Sequence, residues 1–546
     1  MREGNFVGRL CYYFSYAMVA NQDTAFSDVT RRVAASSRVR EAVKKSADKD
    51  IQQLRLEGHH VESAVVRPVL EAQHQRRARS VLRHMKTCIS SSLLTIAGWL
   101  LFKLLSKILT SIQFSKKQVD NIKHIRKSCR YPILYLPVHR SHLDYILVSF
   151  ILHMNGVKPP LVAAGDNLYI PFFGNLMKGL GAFFIKRKLD PKEGQKDHIY
   201  RAVLEAYMTE NLRQGECMEF FLEGGRSRTG KALMPKAGLL SVVVNAVLDN
   251  DVEDVCVVPV GISYDKLIDG SFIAEQLGKP KVKESFSLAA RAVWATLRSN
   301  FGSARVDFGT PFSLKEFLRS SSSDLVPCIL HSDTSCRNYY CEASGDNKQE
   351  LRSVSSSASL YGLEVIAEGH KREVIQQLAE HVVHDACNAS AIMSTQMLAF
   401  ILLTCYRKGA TLRQLIPAMT WLKKELIKKG RDVGFSGDTA AVVKYASGLL
   451  GRDLVTTEVI QMAWSSGESI QDDQSNRTKK IVLVKPATKV PAVLELQYYS
   501  NTVTSSFALE SIVGKDMFSS LSSSPPRPAS KFMSFMPALS SFPLNL

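Results

Sequence analysis

Six short apolar runs constrain this chain more than anything else in it: residues 132–138, 161–164, 182–185, 217–222, 255–260 and 304–308. Each is too short for an ordinary helix and apolar enough to be buried on both faces. Helix-like segments separate most of them. Parallel strands need a crossover, and the usual crossover is a helix. The expectation is therefore an α/β fold with a largely parallel sheet and flanking helices. Such sheets open their ligand crevices at the carboxyl ends of the strands. The residues just after each run are where chemistry is expected.

After the first run comes VHRSHLD (138–144), followed by the apolar Tyr145–Leu152, which opens a helix. His139 just past a strand end can serve as a general base, since an imidazole titrates near pH about 6.5. Asp144, in the first helical turn, can fix its tautomer and steady the imidazolium. Taken alone, the same residues also fit a plain helix cap, with Ser141 and Asp144 in capping-box spacing, and a hydrogen-bonded loop histidine. Three further clusters follow later runs. GAFFIKR (181–187) ends in Lys186 and Arg187, and EFFLEGGRSRTGK (219–231) carries Glu223, Gly224, Arg226, Arg228 and Lys231. VVPVGISY (257–264) ends in what reads as a Pro259/Gly261 turn. Guanidinium forks suit phosphate oxygens, and glycines let backbone amides approach an anion.

Two rival chemistries are weaker. Residues 225–231 match the phosphate-loop spacing G-x4-G-K, but Ala232 stands where a magnesium-binding hydroxyl belongs, and Pro235 interrupts the helix that should follow. His139, His142 and Asp144 could face a metal, yet no Cys/His cluster elsewhere supports such a site. No metal is expected.

The chain has 546 residues, 45% hydrophobic, with a net charge of +19. That length exceeds one domain, and that charge suits a polyanionic partner: nucleic acid, an anionic membrane face or a phosphorylated substrate. No zinc finger, RNP block or aromatic-interleaved basic strand supports nucleic acid. Ten cysteines without C-x-x-C spacing read as reduced thiols in a cytosol-facing protein. The apolar Cys11–Ala20 is short and soon followed by charge, unlike a signal peptide.

Residues 1–120 read as a basic helical region. Within it, 93–112 has the length of a membrane span, but Lys103 and Lys107 share a face with Thr95, Ser106 and Thr110. Leu94, Ala97, Leu101, Leu104, Leu105, Ile108 and Ile112 form the other face, so the expectation is a helix lying in the membrane interface. Residues 121–318 form the α/β domain and 319–362 a disordered Ser/Asp-rich insertion. A helical C-terminal domain follows over 363–516, with Ile392–Leu403 as a buried helix, and then a Ser/Pro-rich tail over 517–546.

In order and spacing, HRSHLDY (139–145), GAFFIKR (181–187), FFLEGGRSRTGK (220–231) and VVPVGISYD (257–265) resemble the motif blocks of the glycerolipid acyltransferases, most closely the mitochondrial-type glycerol-3-phosphate acyltransferases. The likeness runs over roughly residues 8 to 513. It departs at Gly225, where the family usually has Thr, at Lys186, where it has Arg, and beyond Val513. The resemblance implies transfer of a fatty acyl group from acyl-CoA to the sn-1 hydroxyl of glycerol 3-phosphate, giving lysophosphatidic acid and CoA. That reaction opens glycerolipid and triacylglycerol synthesis and needs no cofactor beyond acyl-CoA as co-substrate. By resemblance, His139 and Asp144 are catalytic. Arg187, Glu223, Gly224, Arg226 and Arg228 bind the acceptor, with Lys231 in the same cationic cluster, and Pro259 lies on the acyl-CoA side. The implied place is a cytosol-facing membrane surface, the mitochondrial outer membrane before the endoplasmic reticulum. Two alternatives stay open. One is acylation of dihydroxyacetone phosphate, disfavoured by an ending of Pro-Leu-Asn-Leu rather than a peroxisomal Ser-Lys-Leu. The other is a catalytically weak membrane scaffold of the same fold.

Overall fold

A computed structural model describes residues 27–57, 62–128, 131–169, 173–186, 197–268, 277, 299–321, 369–463 and 478–508. Cys11–Ala20, Arg187, most of the 319–362 insertion and the 517–546 tail lie outside the described residues.

The chain begins with three helices: α1 (Thr30–Ala35), α2 (Ser37–Leu56) and α3 (Ser63–Met85). Ser36 caps α2 by accepting the Val39 amide, and Val39, Val43, Ala47 and Ile51 recur every four residues on its buried face. Next come α4 (Ser91–Ile108), β1 (Ser111–Phe114), α5 (Lys116–Ser128), β2 (Ile133–Pro137), α6 (Asp144–Met154), β3 (Leu161–Gly165), α7 (Phe173–Gly179) and β4 (Ala182–Ile185). The α/β region continues with α8 (His198–Arg213), β5 (Met218–Glu219), α9 (Gly238–Leu248), β6 (Cys256–Tyr264), β7 (Ser303–Phe308), β8 (Phe312–Ser313) and α10 (Leu314–Ser321).

The sheet runs β1-β7-β6-β2-β5-β3-β4, with β8 also on β6. The pairs β1–β7, β2–β5, β2–β6, β3–β4 and β3–β5 are parallel, whereas β7 and β8 run antiparallel to β6. All six apolar runs are strands of this sheet, and every residue of β2 is buried. On one face, α8, α9 and the N-terminal helices close a core around Phe183, Met218 and Val257. On the other, Leu105, Ile122, Leu147 and Ile151 from α4, α5 and α6 pack on Tyr135 and Val258. The chain leaves β2 toward β3 and β4 on one side and reaches β6 on the other. β2 therefore stands at the switch point, where a crevice opens beyond the strand ends.

Three expectations change. The helix expected over 93–112 ends at Ile108, because Leu109 turns extended and Ile112 pairs with Ala304 in β1. Thr95, expected on the wet face, is buried, and its hydroxyl donates to the Ser91 carbonyl at 3.0 Å. Pro259 and Gly261 form no turn: β6 runs straight through both to Tyr264. The Pro259 carbonyl still accepts the Gly309 amide at 2.8 Å, so the strand keeps its bonding on that side. A Cβ on Gly261 would stand 2.5 Å from the Ser390 amide, so the glycine marks a close backbone approach, not a bend.

The C-terminal region holds α11 (Gly369–Ala389), α12 (Ser394–Thr404), β9 (Ala410–Thr411), α13 (Leu412–Lys428), α14 (Thr439–Leu450), β10 (Val455–Ala463), β11 (Thr478–Pro486) and α15 (Ala492–Thr504). Residues 394–403 of α12 are all buried, as expected of that apolar run. The region is not purely helical, however: β10, β11 and β9 form an antiparallel sheet.

Candidate active site

His139 lies two residues beyond the end of β2. Its backbone is fixed on both sides, with its amide donating to Glu223 Oε1 at 2.8 Å and its carbonyl accepting the Ser227 amide at 2.9 Å. The ring stacks on Phe221, centroids 4.3 Å apart. Nδ1 is 3.0 Å from Asp144 Oδ2, so the other ring nitrogen is left to the cavity beside it.

Asp144 opens α6 and is wholly buried. A buried carboxylate is costly unless hydrogen bonds surround it. Here Oδ2 also accepts the Arg140 and Ser141 amides at 2.6 and 2.8 Å, and Oδ1 accepts the Tyr264 hydroxyl at 2.7 Å. One carboxylate thus serves both the loop amides before α6 and the histidine. Placed against the imidazole in this way, the carboxylate can hold the proton on His139 Nδ1.

The loop after β5 wraps the same place. Glu223 is buried, and its second oxygen accepts the Leu233 amide at 3.0 Å. Burial pushes its carboxyl above the ordinary range, against the pull of Arg140 and the two amides. Both Glu223 oxygens are spent on backbone, so this residue shapes the loop from inside. Gly224 gives room to Lys236, whose Cε would be 2.8 Å from an added Cβ. Gly225 lines the cavity, with nothing within 4 Å of a Cβ added there. Arg226 is half-buried, while Arg228 and Lys231 are exposed on the same loop. Ser227 Oγ donates to the Lys231 carbonyl, closing the loop on itself. The next helix, α9, starts only at Gly238, so no helix N-terminus follows the glycine loop as a phosphate loop requires.

The cavity beside His139 is walled by Tyr145, Val162, Leu168, Met177 and Phe221, an apolar chamber with the histidine at one side. Lys186 follows β4, three strands from β2 and roughly 14 Å away at the usual strand spacing. It is exposed, with its ammonium over the Tyr200 ring, 5.4 Å from the centroid. Pro259 sits inside β6 opposite Leu136 and does not line this cavity.

Sequence reasoning missed four contributors. Tyr264 falls within a quoted block but was placed past a turn that does not exist. Arg140 is enclosed near Tyr498, Cys387 and Glu223. Asn501 Nδ2 donates to the Thr229 carbonyl at 2.8 Å, and the Tyr498 carbonyl would meet a Cβ on Gly230 at 2.1 Å. Tyr498 and Asn501 come from α15, and no local signal ties them to a loop so far back in the chain.

Residues 116–263 match the family described as Acyltransferase, and residues 272–525 the one described as Glycerol-3-phosphate acyltransferase C-terminal region. Glycerol-3-phosphate acyltransferase 1, mitochondrial, of Mus musculus is 38% identical over 508 residues, which is 91% of this chain and 57% of that protein. The Homo sapiens protein of the same name is 38% identical over 498 residues, 91% of this chain and 56% of its own length. A glycerol-3-phosphate acyltransferase of Pseudomonas fluorescens is 38% identical over 209 residues, 38% of this chain and 24% of that one. The chain thus spans a little over half the length of the mammalian relatives it matches. Likeness to the crystal structure of the 1-acyl-sn-glycerophosphate acyltransferase of Thermotoga maritima is slight, with a TM-score of 0.24 and 15% identity over 57% of this chain and 87% of that one. Matched over 91% of its length to relatives of one name, and in both halves to models of that kind, the chain belongs to the glycerol-3-phosphate acyltransferase family.

Proposed function

We propose that this chain transfers a fatty acyl group from acyl-CoA to the sn-1 hydroxyl of glycerol 3-phosphate. The observation that carries the reading is the His139–Asp144 pair, 3.0 Å apart, set between an apolar cavity and a loop bearing Arg226, Arg228 and Lys231. The chemistry divides along that line. The apolar chamber suits an acyl chain and the cations suit the acceptor's phosphate. With Nδ1 committed to Asp144, the other nitrogen of His139 takes the proton of the acceptor hydroxyl. The oxygen attacks the thioester carbonyl, the carbon–sulfur bond breaks, and the proton passes from His139 to the departing thiolate. The products are a 1-acyl ester and CoA, so atoms and charge balance without a cofactor.

In this reading residues 121–318 carry the chemistry, with Arg187 among the acceptor-side cations. Two relatives are named as mitochondrial, which supports the outer face of the mitochondrial outer membrane as the place of action. The helix α4 is long and apolar enough to cross a membrane by length and composition. Its exposed Lys103 and Lys107 support an interfacial position instead.

The test is thiol release from palmitoyl-CoA with glycerol 3-phosphate, set against dihydroxyacetone phosphate. Release with the first acceptor is expected, and a His139→Ala protein of unchanged melting temperature should be slower by about 10²- to 10⁴-fold. Full activity in that variant would sink the mechanism, and preference for dihydroxyacetone phosphate would change the acceptor.

A further inference from the structure

We propose that a cationic groove between α1 and the C-terminal half of α3, outside the catalytic cavity, is a binding site for phosphate groups. The groove measures about 540 Å³ and is lined by Thr30, Arg31, Arg79, Leu82, Arg83 and Lys86, among others. Arg79 and Arg83 lie four residues apart on one face of α3, Lys86 follows at its C-terminal end, and Arg31 meets them from α1. Leu82 forms a buried floor.

Several arginines of the N-terminal helices already have acid partners. Arg38 pairs with Asp249 at 2.7 Å and Asp251 at 2.9 Å, Arg67 with Asp48 at 2.6 Å, and Arg77 with Asp197 at 2.7 Å. Among the described residues, Arg31, Arg79 and Arg83 have no acid within salt-bridge reach. Lys86 donates to the Thr30 hydroxyl at 3.0 Å. Asp28 is the acid at the rim: its carboxyl is held low by the Thr30 hydroxyl and amide, with Lys86 and Arg31 adding to the effect. One carboxylate against four cations leaves the groove strongly positive. Like charges gathered from two helices repel, and a bound anion relieves that repulsion. Guanidinium forks converging from both walls suit phosphate oxygens, which accept paired hydrogen bonds.

Position adds to the argument. His84, next to Arg83, has Nε2 2.7 Å from Asp166 Oδ1, and its ring meets Tyr169 edge-on at 4.7 Å. Asp166 directly follows Gly165, which lines the cavity of His139. The groove therefore borders the wall of the acyl chamber. Two sources could bring phosphate here: the nucleotide end of a CoA thioester, which trails its reacting carbonyl by a long flexible arm, and phospholipid headgroups. The first rests on the function proposed above, whereas the groove's affinity for phosphate does not.

The primary test is calorimetry of adenosine 3′,5′-bisphosphate and inorganic pyrophosphate on the full chain carrying Arg226→Ala and Arg228→Ala, so that the loop cations do not contribute. Adding Arg79→Ala and Arg83→Ala should weaken saturable binding by about tenfold or more, as the loss of two charge-assisted contacts predicts. Adding Arg67→Ala and Arg77→Ala instead removes equal charge outside the groove and should leave binding unchanged. Two further arms, with the loop intact, identify the source. A raised KM for palmitoyl-CoA in Arg79→Ala/Arg83→Ala, with the KM for glycerol 3-phosphate and turnover of palmitoyl-pantetheine unchanged, assigns the donor. Lost flotation with phosphatidylglycerol vesicles, at unchanged KM, assigns lipid. The proposal is overturned by absence of binding to either probe, or by equal weakening in the charge-matched control. Because calorimetry needs no turnover, an inactive enzyme would refute the proposed reaction without touching this site.

Discussion

In the proposed reaction His139 depends on a carboxylate held from four directions: two backbone amides, the imidazole and the Tyr264 hydroxyl all reach Asp144. Removing the hydroxyl tests whether that hold matters. In Tyr264→Phe, Asp144 Oδ1 loses a 2.7 Å bond in a dry setting, and an unsatisfied buried acceptor costs about 1–3 kcal/mol. The expected result is kcat lower by about tenfold with the acceptor KM unchanged. A fall in melting temperature at full kcat would reduce Tyr264 to packing. Glu219 is the opposite case, a wholly buried acid whose carboxyl oxygens find no hydrogen-bond partner among the described residues. Burial first, and the nearby Asp144 second, push its pKa well above 4.5. The unfolded chain therefore releases this proton at lower pH than the folded one. Stability is fully present below pH 4.5 and falls as pH rises from there toward the raised value. Glu219→Gln carries no such penalty. Its melting temperature should match the parent in acid and exceed it progressively toward about pH 8. A constant difference across that range would show that ionisation is not the cause. The contact between His139 and Asp144 was legible in sequence because one follows an apolar strand run and the other falls in the first turn of the helix after it. Glu219 was not: in the run of residues 217–222 it reads as one more strand position, and only β2 and β3 on either side make it dry.

Among elements, the strands of the main sheet were legible because burial on both faces leaves a continuous apolar run. β10 and β11 were not. Val459 opposes Val482 on a face where they are 58% and 36% exposed, so alternation marks no buried side. β1 was hidden for another reason: Ser111 and Ile112 continue the apolar pattern of α4, and only pairing with β7 ends the helix. At about 1.5 Å per residue, the 18 residues of α4 reach about 27 Å, near the lower limit for crossing a typical hydrocarbon core. Its exposed stripe runs Ile96, Leu100, Lys103, Lys107, two large apolar groups followed by two ammoniums. That pattern fits a helix bound at the surface of an anionic bilayer. Alkaline carbonate is expected to release the protein, and high salt to weaken its binding to anionic vesicles. Lys103→Glu with Lys107→Glu should remove about 2 kcal/mol, roughly thirty-fold in partitioning. Carbonate resistance, with protease-protected ends on opposite sides of the bilayer, would instead establish a span.

At the scale of the whole molecule, the C-terminal region is a brace for a loop that belongs to the α/β sheet. α15 packs along α12, and from there Asn501 reaches Thr229 across 272 residues of sequence. Beside it, the Tyr498 side chain bonds to Arg140, whose neighbour in the chain is His139. The sequence shows each partner but not the pairing, because long-range contacts leave no local periodicity. This brace has a measurable consequence. Arg226, Arg228 and Lys231 sit on the loop that Asn501 holds, so loosening it should disturb the phosphate end of the acceptor before the acyl donor. Asn501→Ala removes one hydrogen bond, worth about 1 kcal/mol, and should raise the KM for glycerol 3-phosphate roughly fivefold. Asn501→Asp keeps the oxygen that accepts from Gln497 at 2.8 Å but turns a carboxylate toward the Thr229 carbonyl, so its effect should be larger than that of alanine. Both variants should leave the KM for palmitoyl-CoA within about twofold, since no residue of α15 is among those lining the cavity beside His139. Equal rises for both substrates, or an alanine variant more impaired than the aspartate, would mean that α15 stabilises the molecule at large without positioning the loop.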